Sequence, residues 1–186
     1  MLWGAVLLVG TWASWHGGIA HAQSRDGAGV ATERGVKAAF LYKFPAFVEW
    51  PEASFARAES PFVIAVVDAH EIAVELGQIT AGRQIQEHPV EIREVRGTDP
   101  LTGAHMVFVG RGEPARLQQI ARATQNKAVL VASEQEGALD LGSNINLVLR
   151  EGRVRFEVGL DGAEKRGLKL SSRMLALALQ VRGSPP

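Results

Sequence analysis

Most aromatic residues that follow the first 22 positions lie in residues 36–51, VKAAFLYKFPAFVEWP. Large apolar side chains recur there at intervals of three and four, which places Val36, Phe40, Phe44 and Phe47 on one face of a helix. Burying each of them contributes roughly 1.5 to 3 kcal/mol. We therefore expect this face to pack on a sheet formed by the rest of the chain.

The sequence predicts where this helix begins and where it is interrupted. Thr32 suits the N-cap position, because its hydroxyl can accept a hydrogen bond from a free amide of the first turn. Pro45 has no amide hydrogen, so we expect the helix to kink or divide near Lys43. Three aromatic residues of the segment are expected in the core, namely Phe40, Tyr42 and Phe47. The alternative is that they form an exposed interface.

The middle of the chain alternates between apolar runs and amphipathic segments. Residues 61–68, PFVIAVVD, are continuously apolar up to the aspartate, as expected of a strand buried on both faces. Helical periodicity at residues 69–80 and 113–125 alternates with further apolar runs at 105–109 and 128–131. Such alternation requires crossover connections, so it predicts an α/β sandwich with a mostly parallel central sheet flanked by helices.

Two pairs of strands with short turns are also predicted. Residues 84–87 and 90–95 are expected to pair around a turn at His88–Pro89. Residues 145–150 and 153–158 predict a hairpin, because a Glu-Gly pair suited to a tight turn separates them. In the second strand of the hairpin, charged residues alternate with apolar ones, which gives it one apolar and one polar face.

The C-terminal part predicts two helices. Asp161 is expected to cap a short helix that ends at Arg166, and Gly167 to close it. A last helix is predicted over residues 173–181. Its inner face is expected to consist of Leu175, Ala178 and Leu179.

Two serines precede the last helix. We interpret Ser171 and Ser172 as an N-cap pair that satisfies the free amides of its first turn. Neither serine, nor Ser133, lies in the G-x-S-x-G motif of a hydrolase nucleophile. The sequence therefore gives these serines a structural role.

The first 22 residues differ in kind from the rest. They contain no Lys, Arg, Asp or Glu, carry an apolar run and end in Ala20-His21-Ala22, an A-x-A pattern typical of signal peptides. We interpret residues 1–22 as a signal peptide cleaved after Ala22 for export to the periplasm. An uncleaved anchor is the alternative, although the run is short for a membrane span.

The remaining chain predicts a single domain. Residues 23–31 are expected to form a flexible leader, residues 32–182 the α/β domain, and residues 183–186 a tail. No later segment is long and apolar enough to cross a membrane, so we expect no direct membrane insertion after cleavage. The 186 residues include no cysteine, which excludes disulfides and thiolate sites.

Composition limits the classes of partner and cofactor. The chain carries 20 basic and 20 acidic residues, which argues against a nucleic-acid binder that neutralises phosphates. His70, His88 and His105 are scattered without metal-ligand spacing, so we predict no metal and no other cofactor. Whether the protein is a homodimer is left open.

One motif is typical of a nucleotide enzyme. Residues 110–115, GRGEPA, follow a predicted strand and open a helix, as the G-x-G-x-x-A fingerprint requires, and Glu134 follows the next strand. However, Glu113 would place a carboxylate where a pyrophosphate must bind, and Pro114 removes a backbone donor. Turn formation explains both glycines, and we predict that the protein is not an enzyme.

The polar side of the predicted hairpin is the candidate binding surface. Arg153, Arg155 and Glu157 line it, with Asn146 and Lys169 nearby. One interpretation is a solvated strand face with weak cross-strand pairs. The other is a surface that docks a partner or a small anion, because arginine makes fork-like contacts with carboxylates and phosphates.

Two stretches resemble the signatures of the YfiR/HmsC-like family. Residues 36–51 are similar to its opening signature, of the type KAAFLYxFxxFVEWP. Residues 144–179, NINLVLREGRVRFEVGLDGAEKRGLKLSSRMLALAL, are similar to its closing signature, of the type INFVLxxGRVRFEINxxAAxxxGLKISSKLLxLA. The matching positions of the closing signature are Ile145, Asn146, Gly152, Arg153, Val154, Arg155, Phe156, Glu157, Gly167, Leu168, Lys169, Ser171 and Ser172.

The resemblance implies a function for the polar hairpin side. It implies a periplasmic regulator that binds the periplasmic part of an inner-membrane diguanylate cyclase and represses it, which lowers cyclic di-GMP and restrains biofilm formation. It favours docking over solvation for the five polar residues of the candidate surface. The alternative is a periplasmic module that binds a small ligand and acts on another envelope protein. Family members often carry cysteines, and their absence here excludes redox control through a disulfide.

Overall fold

The computed structural model describes residues 32–57, 59–96 and 100–183. The predicted signal peptide, the leader and the last three residues of the tail lie outside the described residues. Within those ranges, no helix combines the length and the apolar character that crossing a membrane requires.

The described ranges contain the following elements. The helices are α1 (Glu33–Lys43), α2 (His70–Thr80), α3 (Pro114–Ala123), α4 (Leu160–Lys165) and α5 (Ser172–Leu177). The strands are β1 (Val48–Glu49), β2 (Phe62–Val67), β3 (Gln84–Ile85), β4 (His88–Val95), β5 (Met106–Val109), β6 (Leu130–Ser133), β7 (Ile145–Arg150), β8 (Arg153–Gly159), β9 (Lys169–Leu170) and β10 (Gln180–Arg182). Short 3-10 turns span Phe44–Phe47 and Glu52–Ser54.

Eight strands form one sheet in the order β10-β8-β7-β6-β5-β2-β4-β3. The neighbours pair in parallel except for the β3–β4 and β7–β8 pairs, which are antiparallel. This arrangement confirms the predicted α/β fold with a mostly parallel sheet. Strands β1 and β9 form a separate antiparallel pair.

Each face of the sheet has its own core. Side chains alternate between the two faces along a strand, so Ile64 and Val66 of β2 lie on one face and Ala65 and Val67 on the other. The first face packs against α1 and α2 in the larger core, and we call it the α1/α2 face. The second packs against Leu117 and Ile120 of α3, and we call it the α3 face. Among the described residues, the α3 core contains no side chain from β7, β8 or β10.

The first helix divides where the sequence predicts. Thr32 caps α1 through its hydroxyl, which accepts a hydrogen bond from the amide of Gly35 at 3.1 Å. The chain leaves α1 at Lys43 and continues in the 3-10 turn that contains Pro45. The fully buried apolar residues of α1 are Ala38 and Leu41, and neither was part of the predicted stripe. The predicted aromatic residues pack against the α1/α2 core as partly buried side chains: Phe40, Tyr42 and Phe47.

The predicted turn at His88–Pro89 is wrong by two residues. The turn consists of Gln86 and Glu87, whose φ angles are 49° and 69°. Proline fixes φ near −65°, so it cannot occupy a two-residue hairpin turn that needs positive φ angles. Pro89 instead lies in β4, opposite Gln84.

The C-terminal elements differ from the prediction in two respects. Helix α4 begins at Leu160 with Gly159 at the N-cap, so Asp161 lies inside the first turn and does not cap it. The predicted last helix ends at Leu177, and residues 180–182 form β10 beside β8. The amide of Leu179 donates to the carbonyl of Phe156 at 2.8 Å, which leaves the Leu179 side chain half exposed. Pairing with the open edge of β8 therefore outweighs helical propensity.

His105 is held in one protonation state by its neighbours. Its Nδ1 accepts a hydrogen bond from the amide of Val63 at 3.1 Å, and its Nε2 donates to the carbonyl of Ser54 at 3.0 Å. The ring stacks on Phe55 and Phe62. Burial, and to a lesser degree the nearby His88, lowers the pKa of His105 below its ordinary value of 6.5. A second proton would place an N–H against the amide of Val63.

We predict that acid destabilises the fold through His105. Because the unfolded chain binds this proton more readily than the folded one, the contribution of His105 to stability is present above about pH 6.5 and decreases as the pH falls below that value. Urea unfolding midpoints should therefore fall between about pH 7 and about pH 5. The His105→Gln variant should show a smaller pH dependence, and His70→Gln, at an exposed position, should keep it. An equal slope in wild type and His105→Gln would contradict this assignment.

Candidate docking surface

The hairpin of β7 and β8 presents two different sides. Its turn residues Glu151 and Gly152 have φ angles of 51° and 71°, as the predicted two-residue turn requires. Val154, Phe156 and Val158 alternate along β8 and are buried in the α1/α2 core. The intervening side chains lie on the α3 face, beyond the part that α3 covers.

We call this side of the hairpin, which is exposed toward the turn and covered at Asn146, the hairpin face. It consists of Asn146, Val148, Arg150, Arg153, Arg155 and Glu157. Strand pairing sets Asn146 opposite Glu157, Val148 opposite Arg155, and Arg150 opposite Arg153. The structure therefore brings together four of the five residues that the sequence predicts.

A hydrogen bond fixes one end of the hairpin face. The Nδ2 atom of Asn146 donates to Oε2 of Glu157 at 3.1 Å. Asn146 is buried, with 2% of its surface exposed, whereas Glu157 is half-buried. This contact holds the carboxylate of Glu157 at the covered end, away from the turn.

The other end of the hairpin face is strongly basic. Arg150, Arg153 and Arg155 are all exposed, and none of them makes an ion pair with a carboxylate of the described ranges. Arg150 and Arg153 lie directly opposite each other, and like charges in that position destabilise a sheet. The arrangement does not stabilise the fold, but it is suited to carboxylates of a partner.

Arg150 was not among the predicted site residues. Its place follows from the hairpin register, because the residues on either side of a two-residue turn face each other. The alternation of β8 alone could not show it. The pairing register of the two strands is the signal that places Arg150 on the hairpin face.

Lys169 lies elsewhere. It belongs to β9, pairs with β1, and its Nζ is 3.5 Å from Oε2 of Glu49. The neighbouring Val48 and Leu168 are buried in the α1/α2 core, so this strand pair lies on the opposite side of the sheet from the hairpin face. The structure does not bring Lys169 to the candidate surface.

The two predicted cap residues occupy different positions. The hydroxyl of Ser171 accepts a hydrogen bond from the amide of Met174 at 3.3 Å, so Ser171 is the N-cap of α5. Ser172 is the first residue of the helix. Of the two serines, only Ser171 caps the helix.

The glycines of the nucleotide-like motif serve packing and turn formation. A Cβ atom on Gly110 would lie 2.4 Å from the carbonyl oxygen of Asp68, so only glycine allows this approach of β5 and β2. The amide of Gly112 donates to the side chain of Gln135 at 3.0 Å. Glu134, the acidic residue of the motif, forms a buried ion pair with Lys37 of α1. These contacts give Gly110, Gly112 and Glu134 structural roles.

The remaining polar candidates have structural partners. The hydroxyl of Ser133 donates to the carbonyl of Val109 at 2.9 Å, His70 contacts Glu94, and the ring of His88 stacks on Phe55. Within the described residues, no group of three or more histidine and acidic side chains could hold a metal ion.

The Lys37–Glu134 pair joins α1 to the end of β6, and its side chains are 10% and 13% exposed. Burial disfavours the charge of Lys37, but hydrogen bonds to Glu134 and Glu33 outweigh it and raise the pKa of Lys37. We predict that Lys37→Met lowers the free energy of unfolding by about 3 kcal/mol, because it leaves a buried carboxylate without its cation. Lys37→Met with Glu134→Leu should recover most of the loss in urea unfolding. An equal loss in the double variant would contradict this role.

The fold leaves an exposed basic surface on one side of the β7–β8 hairpin. A family model described as YfiR/HmsC-like matches residues 34–179, so the chain belongs to the YfiR/HmsC-like family. This is a family of periplasmic regulators of diguanylate cyclases, regulatory rather than catalytic. The match covers both signature stretches and every strand of the main sheet except β10.

Proposed function

We propose that this protein is a non-enzymatic periplasmic repressor. It binds the periplasmic part of an inner-membrane diguanylate cyclase through the hairpin face, which lowers cyclic di-GMP and restrains biofilm formation. The observation that carries this proposal is the group of exposed arginines without ion-pair partners in the described ranges, Arg150, Arg153 and Arg155, on a strand pair with a buried back.

Location dictates the mechanism. A periplasmic protein has no access to the GTP that a cyclase uses in the cytoplasm, so it acts by binding one conformation of the outer part better than another. Coupling between two such sites is typically worth about 1 to 3 kcal/mol. That amount is enough to shift the population of active cyclase about fivefold to 150-fold.

The hairpin is well suited to this task. Its inner side chains, such as Phe156 and Val158, are fixed in the α1/α2 core, so its outer side chains project from a rigid support. Phe156 also contacts the rings of Phe40 and Phe44, with centroids 5.6 and 5.1 Å apart. Docking on such a surface needs little reorganisation of the backbone, which favours affinity.

We predict that Arg155→Glu weakens partner binding and leaves the fold intact. The substitution reverses a charge opposite Val148, on an exposed position, so the thermal unfolding midpoint should change little. Copurification of the cyclase from detergent-solubilised membranes should fall at least about tenfold, as expected for loss of a close charge pair. In a strain that lacks the wild-type gene, Arg155→Glu should give higher cyclic di-GMP than the wild-type copy does.

Lys127→Glu provides the matched control, because it makes the same change in charge at an exposed residue outside the hairpin face. It should copurify the cyclase as wild type does. Equal copurification by folded Arg155→Glu would mean that the hairpin face is only a solvated surface. Unchanged cyclic di-GMP after deletion of the gene would contradict repression itself.

A further inference from the structure

A cleft of about 650 Å³ lies at the edge of the sheet where the parallel strands β2, β5 and β6 begin. Three buried apolar residues from the start of these strands and the segments before them line it, namely Val63, Ala104 and Val129. They are 4%, 7% and 5% exposed. The cleft contains no residue of the hairpin face and plays no part in the proposed docking.

The cleft lies on a part of the α3 face that α3 does not cover. Val63 is separated from Ala65 and Val67 by single residues of β2, so all three side chains lie on the α3 face. Ala65 and Val67 belong to the α3 core, whereas Val63 belongs to neither core of the described residues. The apolar surface over Val63 is therefore part of the cleft and not of the packing against a helix.

One side of the cleft is fixed by contacts within the protein. Nε2 of His105 donates to the carbonyl of Ser54 at 3.0 Å, and the ring of His105 stacks on Phe55 with centroids 4.5 Å apart. All three residues line the cleft. The volume falls within the roughly 300 to 1,000 Å³ of small-molecule sites. Because this side is already held in place, binding a ligand requires little ordering of the chain.

Lys127 gives the cleft its net charge. The charged side chains that line it are Glu91, Arg93 and Lys127. Nη2 of Arg93 donates to Oε1 of Glu91 at 2.9 Å, so these two groups neutralise each other. Lys127 is exposed and makes no ion pair with a carboxylate in residues 32–57, 59–96 and 100–183. Burial lowers the pKa of His105, which adds no charge at neutral pH.

We propose that this cleft binds a small aliphatic monocarboxylate. The chain of the ligand lies against Val63 and the other apolar residues, and its carboxylate pairs with Lys127. The apolar lining favours an aliphatic chain, because it consists of alanine, valine, proline and leucine apart from the ring of Phe55. Two cations against one carboxylate leave a single positive charge, which favours a carboxylate over a phosphate monoester with its charge of about −1.5 to −2 near pH 7.

The test is calorimetric titration of the purified mature protein with sodium octanoate. Octylammonium chloride has the same chain with the opposite charge, and sodium acetate has the same carboxylate without the chain. We expect saturable binding of octanoate, weaker binding of octylammonium and no saturable binding of acetate. Absence of octanoate binding, or equal affinity for either of the other two compounds, would overturn the proposal.

Three variants locate the site. Ala53→Trp adds a large side chain at an exposed position in the lining, so it should keep the unfolding midpoint and weaken octanoate binding at least about tenfold. Ala176→Trp makes the same change at an exposed position outside the cleft and should bind as wild type does. Lys127→Gln should weaken octanoate binding about threefold to fivefold, as expected for loss of an exposed ion pair, and should not weaken octylammonium binding.

Wild-type affinity for octanoate in folded Ala53→Trp, or in Lys127→Gln, would overturn the proposal. If Ala53→Trp does not fold, Lys127→Gln decides the matter alone, because it changes an exposed side chain. This test uses no cyclase, so its outcome is independent of the proposed repression.

Discussion

The structure depends on one constraint, which is that a mostly parallel sheet must be covered on both faces. This chain covers the two faces unequally. Helices α1 and α2, with the C-terminal segments, cover the α1/α2 face. Helix α3 covers only the part of the other face formed by β2, β5 and β6 with neighbouring segments. The hairpin of β7 and β8 therefore has one side in the core and one side outside it, and its outer side chains, apart from Val148, are polar for that reason.

The proposed docking surface lies where this asymmetry leaves the sheet uncovered. A surface for a partner must be rigid, and the buried back of β8 makes it so. It must also offer charged groups that a partner can pair with. Arg150 and Arg153 are such groups, although their mutual repulsion destabilises the sheet in the absence of a partner. The proposed function thus rests on a local arrangement that folding alone does not favour.

Much of the sheet and of the candidate surface could be predicted from the sequence, because the spacing of apolar residues along a strand indicates which of its faces are buried. The unbroken apolar run of β2 predicted cover on both faces, and the alternation of β8 predicted cover on one. The same alternation placed Arg153, Arg155 and Glu157 together on the candidate surface. Periodicity works for these strands because each is long enough to show its pattern.

The failures have physical causes as well. Lys169 belongs to a two-residue strand whose side of the sheet is set by a partner distant in the chain, so no local pattern could place it. Leu179 fits the apolar face of a helix, yet its backbone is extended and its amide donates a hydrogen bond to Phe156 at the edge of β8.

The absence of cysteine in the natural sequence allows a direct test of the central claim, that the hairpin face contacts the cyclase. A single cysteine at Val148, which lies opposite Arg155 on the hairpin face and leaves the three arginines in place, can be labelled with a photoreactive maleimide and irradiated with membranes that contain the cyclase. The comparison is a single cysteine at Lys43, at the exposed end of α1. The account predicts a crosslink to the periplasmic part of the cyclase from position 148 and none from position 43. Crosslinking from position 43 but not from position 148 would contradict it.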